Sequence, residues 1–331
     1  MLESKISEAG RGNFRVAPRE LGQEINKMLD RGELTIAHAA NSNLPDIFTL
    51  PEIPAAAVKA RVAEILRLYG IFNRYASATG DIGRAGNEAI RRVFAASPNY
   101  KIICQRWGDV AAYDGIELNE QSDGLVLATM PLSGRPSSDA VAVVEIKNKR
   151  EWYYAQHVDI WKLIRNAYLL DVVGIFFARR IARPTFGYTF KNVGALGVEM
   201  FAQFAPATLA TELAPIRHKN GLGFHDITLH ENPPASLQKR VDALAPRILV
   251  ARDRMQKIRP LVEPFLDDLA NPSVRDRRRD QIFDEMLEGI REHDKSDDEE
   301  NDGDDPDAAS EAARDFALEE MVDDIMGDDD F

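Results

Sequence analysis

The sequence predicts an α/β protein in which helices cover a mixed β-sheet, with helical regions on either side and a disordered acidic tail. Two observations predict the sheet. Three strand-like apolar segments follow one another, and a helix then separates the third segment from a fourth. Consecutive strands favour antiparallel pairing, whereas a strand–helix–strand step favours parallel pairing. The core is therefore expected to have the order α-β-β-β-α-β and a sheet with both orientations.

The N-terminal region, residues 1–78, is predicted to be helical. The segment "PRELGQEINKMLDRGEL" and the apolar stripe of residues 55–76 both have helical spacing. A connector rich in Pro and Asn, over residues 40–55, separates them. The core is predicted to follow over residues 79–235.

The elements of the core are predicted from local patterns. They are a helix over 84–96, strands over 100–107, 123–130 and 140–149, a helix over 151–170, and a strand over 172–182. The third strand, "AVAVVEIKNK", has the continuous apolar character of a strand that is buried on both faces. A C-terminal region over 236–293 is rich in Arg and Asp and is predicted to be helical.

Charge is distributed unevenly along the chain. The net charge is −13, but residues 294–331 contain eighteen acidic and two basic residues, so residues 1–293 carry a small positive charge. A segment with many like charges and few apolar residues is expected to be disordered. Three roles for this tail stay open. It could keep the protein in solution, mimic DNA over the basic body, or dock a protein partner, since "DDIMGDDDF" resembles the tails of single-stranded-DNA-binding proteins.

Several classes of protein are disfavoured by the sequence. Cys104 is the single cysteine, which excludes an internal disulfide and a cysteine-based zinc site. The N-terminus lacks the pattern of a signal peptide, and the longest apolar run is too short to span a bilayer. We therefore expect a cytoplasmic protein without a membrane partner. Phosphate-binding loops, dinucleotide fingerprints and nucleophile elbows are absent from the sequence.

Charged residues at the end of the third predicted strand are the strongest candidates for a site. Glu145 and Lys147 are two residues apart, so they share one face of the strand. Asp123 stands at the start of the preceding strand. If the two strands pair antiparallel, Asp123 lies beside Glu145.

Two partly buried carboxylates repel each other and need a cation or a proton. Oxygen ligands favour Mg²⁺ or Mn²⁺ over Zn²⁺. A nearby lysine can polarise an attacking water or stabilise charge on a phosphoryl oxygen. Asp123, Glu145 and Lys147 together therefore offer what phosphodiester hydrolysis requires.

Asp123 followed by Glu145-Ile146-Lys147, together with the element order, resembles the PD-(D/E)xK superfamily of restriction-endonuclease-like nucleases over residues 80–185. The resemblance implies Mg²⁺- or Mn²⁺-dependent nucleic-acid cleavage, with DNA favoured over RNA as the substrate, in restriction, phage defence or repair. It implies that Asp123 and Glu145 bind the metal and that Lys147 is catalytic. It also implies a third metal-binding carboxylate, Glu88, and a polar residue on the following helix, Gln156. Ser122 stands where the family pattern has proline.

Alternatives to this interpretation remain open at the level of sequence. An E-x-K pair on a strand is often a structural ion pair, and Tyr154 competes with Gln156 for the helix position. The chain could also be a non-catalytic protein with a nuclease-like fold that binds nucleic acid or a partner through its tail. The discriminating observation is whether a metal ion stabilises the folded chain through Asp123.

Basic residues close to the predicted site are candidates for contacts with DNA. Arg179 and Arg180 end the fourth predicted strand, and a cation there could follow a phosphate backbone. Nucleases that cut both strands often act as dimers, so a homodimer is one expectation. The remaining histidines are scattered, and those of "HKNGLGFHDITLH" are interpreted as solvated loop residues.

Overall fold

The computed structural model describes residues 18–38, 46–130 and 138–301. Its α-helices are α1 Pro18–Asp30, α2 Ala55–Asn73, α3 Asp81–Ala96, α4 Val158–Leu170, α5 Arg183–Thr185, α6 Ala210–Arg217, α7 Ala235–Asp242, α8 Leu244–Val262, α9 Leu266–Ala270 and α10 Asp276–Asn301. Its strands are β1 Thr35–His38, β2 Ile47–Thr49, β3 Tyr100–Ile102, β4 Val110–Tyr113, β5 Ile116–Ser122, β6 Gly124–Met130, β7 Ser138–Tyr153, β8 Val173–Ile181, β9 Leu196–Glu199, β10 Gln203–Ala205 and β11 Ile227–Leu229.

The described chain divides into two compact units. The first contains residues 18–38, 46–80 and 208–227, and the second contains residues 81–130, 138–207 and 228–301. The core predicted over 79–235 therefore differs from the compact unit, because residues 208–227 pack with the N-terminal region. Two contacts show the reason: the Phe72 and Phe224 rings meet edge to face, 5.2 Å apart, and Arg61 donates a hydrogen bond to the Gly221 carbonyl.

A five-stranded mixed sheet forms the centre of the second unit. Its strand order is β3-β6-β7-β8-β9, with β6 antiparallel to β3 and β7, and β8 parallel to β7 and β9. The predicted α/β class with a mixed sheet is thus confirmed. Helix α4 connects the two central parallel strands, as the strand–helix–strand pattern predicted.

The two faces of this sheet are buried beneath different helices. One face carries Val143 and Phe176, which belong to a cluster with residues of α4, α9 and α10. The other carries Val144 and Ile175, which belong to a cluster with α3, α7 and the first part of α8. Burial on both faces explains why the third predicted strand is a continuous apolar run.

The boundary between β7 and α4 was predicted wrongly. A helix was expected from residue 151, but β7 continues to Tyr153 and α4 begins at Val158. After an irregularity in the pairing, Trp152 and Tyr153 lie opposite Arg180 and Ile181 of β8. The sheet partner and the complete burial of Tyr153 outweigh the local helical pattern.

Other elements also depart from the expected boundaries. The hairpin of β4 and β5 is inserted between the first two predicted strands, and β9 forms a further edge of the sheet. Helix α10 continues to Asn301, although a disordered tail was predicted from residue 294. Asp294 explains part of this extension, because Arg254 donates two hydrogen bonds to its carboxylate at 2.6 and 2.8 Å. The rest of the predicted tail, residues 302–331, lies outside the described residues.

Within the described residues, the helices are either too short or too polar to cross a membrane.

Candidate active site

Asp123 lies directly before β6, and the pairing of β6 with β7 fixes its position. Gly124 is opposite Val144, and the Asp123 N–H donates to the Val144 carbonyl at 3.0 Å. The Asp123 Oδ2 atom accepts a hydrogen bond from the Ile146 N–H at 2.6 Å. The predicted proximity of Asp123 to Glu145 is therefore confirmed, because antiparallel register leaves these two residues facing each other.

Glu145 and Lys147 project from the same face of β7, as their spacing predicted. The Lys147 Nζ atom is 2.7 Å from Glu145 Oε1, and the two side chains are 20% and 15% exposed. The same ammonium lies 3.6 Å from Oδ2 of Asp159, in the first turn of α4. The Lys147 ammonium thus has Glu145 and Asp159 close to it, and Asp123 adds a further negative charge nearby, so acidic groups outnumber this one cation.

Burial and this excess charge change the acidity of the cluster. Burial, reinforced by the negative charge of Asp123, raises the pKa of Glu145 to about 7. Burial also raises the pKa of Asp123, although hydrogen bonds from Ile146 and Asn87 oppose the shift. Burial alone would lower the pKa of Lys147, but Glu145 and Asp159 outweigh it, so the net shift is upward. Lys147 therefore remains an ammonium beside a carboxyl group that resists ionisation.

Helix α3 contributes Asn87 to the site, one residue before the predicted ligand Glu88. The Asn87 Nδ2 atom donates to Asp123 Oδ1 at 2.6 Å. The Glu88 carboxylate instead accepts hydrogen bonds from Arg91 and Arg92 of its own helix, and these lower its pKa. Among the described residues, Glu88 does not join Asp123 and Glu145 in a group of three close ligand atoms.

Close packing between α3 and β7 determines which residue of α3 reaches Asp123. A Cβ atom on Gly86 would lie 2.4 Å from Cβ of Asn148, so the missing side chain lets the helix approach the strand. The Asn148 amide donates to the carbonyls of Ile82 and Phe204 at 2.6 and 2.8 Å. Trp107 adds a hydrogen bond from its indole nitrogen to the Asn87 carbonyl at 2.9 Å.

A small cavity of about 120 Å³ opens beside the charged cluster. Helix α4 lines it with Asp159, Lys162 and Asn166, which are three and four residues apart and therefore share one face of the helix. Across the cavity from this helix face, Glu120 of β5 forms an ion pair with Lys162, with 3.0 Å between Glu120 Oε2 and Lys162 Nζ. The complete lining is Glu120, Gln121, Glu145, Lys147, Asp159, Lys162, Leu163 and Asn166.

Of the predicted site residues, only Glu145 and Lys147 line the cavity, whereas Asp123, Glu88, Gln156, Arg179 and Arg180 do not. Gln156 lies in the turn before α4, not on the helix, and is not among the lining residues. Arg179 and Arg180 are 1% and 7% exposed, and the Arg180 guanidinium lies 4.8 Å above the Phe201 ring. This burial contradicts the surface contact with DNA predicted for the two arginines.

Asp159 is a site residue that the sequence analysis missed. It belongs to a second group of potential ligands with Glu151 and His157, whose ligand atoms all lie within 4.8 Å of one another. The available signal was the spacing of Asp159, Lys162 and Asn166 at one helical face. Because the predicted helix began at residue 151, the candidates for its polar site residue were Gln156 and Tyr154, both of which precede the actual start of α4 at Val158.

Comparisons with models of protein families, with curated proteins and with solved structures found no match to this chain. The donor set of the site remains as the guide to its chemistry. It consists of facing carboxylates on adjacent strands, with an ammonium two residues beyond one of them. Such a set suits a hard divalent cation and a reaction that develops negative charge.

Replacing Glu145 with Gln is expected to stabilise the metal-free protein at alkaline pH. The folded-state pKa of Glu145 is raised from 4.5 to about 7, so the stability of the folded state relative to Glu145→Gln falls as pH rises between these values. We expect a small difference in the free energy of unfolding at pH 5 and a gain on the order of 2 kcal/mol at pH 8.5. Urea unfolding in EDTA measures it, with Glu117→Gln, at an exposed position of β5, as the control.

Proposed function

We propose that this protein is a metal-dependent nuclease that hydrolyses phosphodiester bonds, with DNA as its substrate. The observation that carries the proposal is the position of Asp123 opposite Glu145, with the Lys147 ammonium 2.7 Å from the Glu145 carboxylate. A buried carboxylate pair with one cation is costly in a metal-free protein. A divalent ion bound between the two carboxylates would neutralise their charge, and functional sites are where such costly arrangements are found.

The order of elements supports a relationship to the PD-(D/E)xK nucleases. Helix α3, strands β3, β6 and β7, helix α4 and strand β8 follow one another in the order α-β-β-β-α-β. The β4–β5 hairpin is an insertion into this order. Asp123 and the Glu145-Ile146-Lys147 segment would correspond to the acidic residues and the lysine of the family pattern.

The donors present fit Mg²⁺ or Mn²⁺. Asp123 and Glu145 would hold the ion, and carboxylate oxygens are the ligands that both ions prefer. Glu88 fits this role poorly, because Arg91 and Arg92 already bind its carboxylate. A bound ion would supply Lewis-acid stabilisation of a phosphoryl oxygen.

Each residue of the site has a distinct task in this proposal. Lys147 would position the attacking water or stabilise charge on the phosphoryl group. Asp159 lies 3.6 Å from the Lys147 ammonium and would restrict its direction. Asn87 and the Ile146 N–H hold one oxygen each of Asp123, so its carboxylate is fixed before substrate binds.

We also propose a role in restriction, phage defence or repair, and a homodimer would allow both DNA strands to be cut. The acidic residues 294–331 could then dock a partner or compete with DNA for the body.

Mg²⁺ or Mn²⁺ is expected to raise the melting temperature of the wild-type protein but not that of Asp123→Asn. An ion that binds only the folded state stabilises it by about 2.7 kcal/mol when its free concentration is 100 times its Kd. Asn keeps the shape of the side chain and removes one of the two facing charges. Thermal melts in EDTA, Mg²⁺ and Mn²⁺ make the comparison, with exposed Asp139→Asn on β7 as the matched control.

A non-catalytic binding protein is the second candidate function. One observation favours it: Glu145 and Lys147 contact each other at 2.7 Å, as a purely structural ion pair would. Melting temperatures that do not respond to either ion would support this candidate and reject the metal-dependent nuclease. An equal response of wild type and Asp123→Asn would place the ion elsewhere and reject the site.

A further inference from the structure

Glu151, His157 and Asp159 form a second group of potential metal ligands on the other side of Lys147. Their ligand atoms lie within 4.8 Å of one another. Glu151 is near the end of β7, His157 is the residue that caps the N-terminus of α4, and Asp159 is in the first turn of that helix. The strand end and the helix start thus bring an imidazole and two carboxylates together.

The imidazole of His157 presents a nitrogen lone pair to this group. Its Nδ1 atom accepts a hydrogen bond from the Asp159 N–H at 3.3 Å and lies 3.9 Å from Asp159 Oδ2. A nitrogen that accepts a hydrogen bond carries no proton of its own. The bond is at the long end of the normal range, so an ion that replaced it would cost only a weak interaction.

Tyr153 holds two of the three ligands in place. Its hydroxyl donates to Glu151 Oε1 at 2.7 Å, and its ring lies 4.4 Å from the His157 ring. Tyr153 is completely buried, so it is a fixed support for both side chains. Groups that orient ligands in this way are a regular feature of metal sites.

Two lysines partly neutralise the carboxylates of the group. Lys149 lies 3.5 Å from Glu151, and Lys147 lies 3.6 Å from Asp159. Both distances exceed that of a direct hydrogen bond, and Lys149 is 61% exposed, so solvent screens its contact. The carboxylates therefore keep the capacity to bind a doubly charged ion.

We propose that Glu151, His157 and Asp159 form a second divalent-metal site that takes an ion of the Zn²⁺ or Co²⁺ class. One imidazole nitrogen with two carboxylates favours these ions over Mg²⁺, which prefers oxygen ligands alone. None of its three ligands belongs to the first site, which is formed by Asp123 and Glu145. It goes beyond the proposed nuclease function and does not depend on it.

Titration of the full-length protein with Co²⁺, followed by visible absorption, tests the second site. The wild type and Asp123→Asn should both bind an ion with the spectrum of a nitrogen-ligated site. His157→Asn should weaken this binding by at least about tenfold, since even the loss of an orienting group costs about 10–100-fold in affinity. Asn also serves well as a helix cap, so this variant removes the imidazole while preserving the start of α4.

Glu151→Gln provides an independent variant, because it removes a charge from a partly exposed side chain that can still accept the Tyr153 hydrogen bond. It should also weaken Co²⁺ binding by at least about tenfold, by the same comparison with orienting groups. The proposal is overturned if the wild type binds no Co²⁺ or if either His157→Asn or Glu151→Gln binds it like wild type. Loss of the spectrum in Asp123→Asn would also overturn it, because the ion would then belong to the first site. If the variants bind Co²⁺ as expected but the wild type does not cleave DNA, the second metal site stands and only the proposed nuclease function is rejected.

Discussion

Replacing Lys147 with Met is expected to reduce Mg²⁺-dependent DNA cleavage by about 100-fold or more. Removing one group that stabilises transition-state charge typically costs 10²–10³ in rate. Lys147 is the ammonium that contacts both Glu145 and Asp159 in the cluster, so Met keeps much of its length while removing the charge. Single-turnover cleavage of a labelled DNA duplex measures the effect on the chemical step.

Two controls separate loss of catalysis from loss of structure or metal. Lys147→Met should keep the metal-dependent rise in melting temperature, because Asp123 and Glu145 remain in place. Lys101→Met, at an exposed position of β3 in the same sheet, should cleave DNA like wild type. Cleavage by Lys147→Met within about threefold of wild type, far inside the usual range for such a group, would contradict the catalytic role.

Replacing Asn148 with Leu is expected to destabilise the protein by about 3 kcal/mol or more. Asn148 is 4% exposed, donates to the carbonyls of Ile82 and Phe204, and accepts from the Phe204 N–H at 2.9 Å. Leu has a similar size but leaves these buried groups unpaired, at about 1–3 kcal/mol each. Urea unfolding measures the change in the free energy of unfolding.

Asn148→Leu should also weaken metal binding by Asp123 and Glu145. Asn148 holds α3 against β7, and α3 carries Asn87, which positions Asp123. We expect a smaller metal-dependent rise in melting temperature for Asn148→Leu than for wild type. Asn99→Ala is the control, since Asn99 makes one long side-chain bond, at 3.4 Å to the Asp242 carbonyl. A loss of stability by Asn148→Leu no larger than that of Asn99→Ala would show that the Asn148 bonds do not anchor the helix.

The position of Asp123 beside Glu145 was predictable because it depends on two local rules. Residues two apart on a strand share a face, and the start of one antiparallel strand lies near the end of the next. The order of strands and helices followed from apolar patterns in the same way. These features are properties of short segments, so no knowledge of distant contacts was required.

The contribution of α3 was not predictable to the residue. One step along a helix turns the side-chain direction by about 100°, so Asn87 and Glu88 point to different surroundings. Both are polar, and the sequence offered no reason to prefer the shorter amide. The contact of Gly86 with Asn148 decides the rotation of the helix, and that contact joins residues far apart in the chain.

The sequence by itself determined the α/β class, the mixed sheet and the shared face of Glu145 and Lys147, because strand periodicity and element order are local. Tertiary structure alone decided that Asp159 reaches the site and that Arg179 and Arg180 are buried. The pairing of Trp152 and Tyr153 with β8 delays the start of α4 and so turns Asp159 towards Lys147. Both arginines are buried, and the Arg180 guanidinium packs over the Phe201 ring. Both results depend on contacts between residues distant in the sequence, which override local propensity.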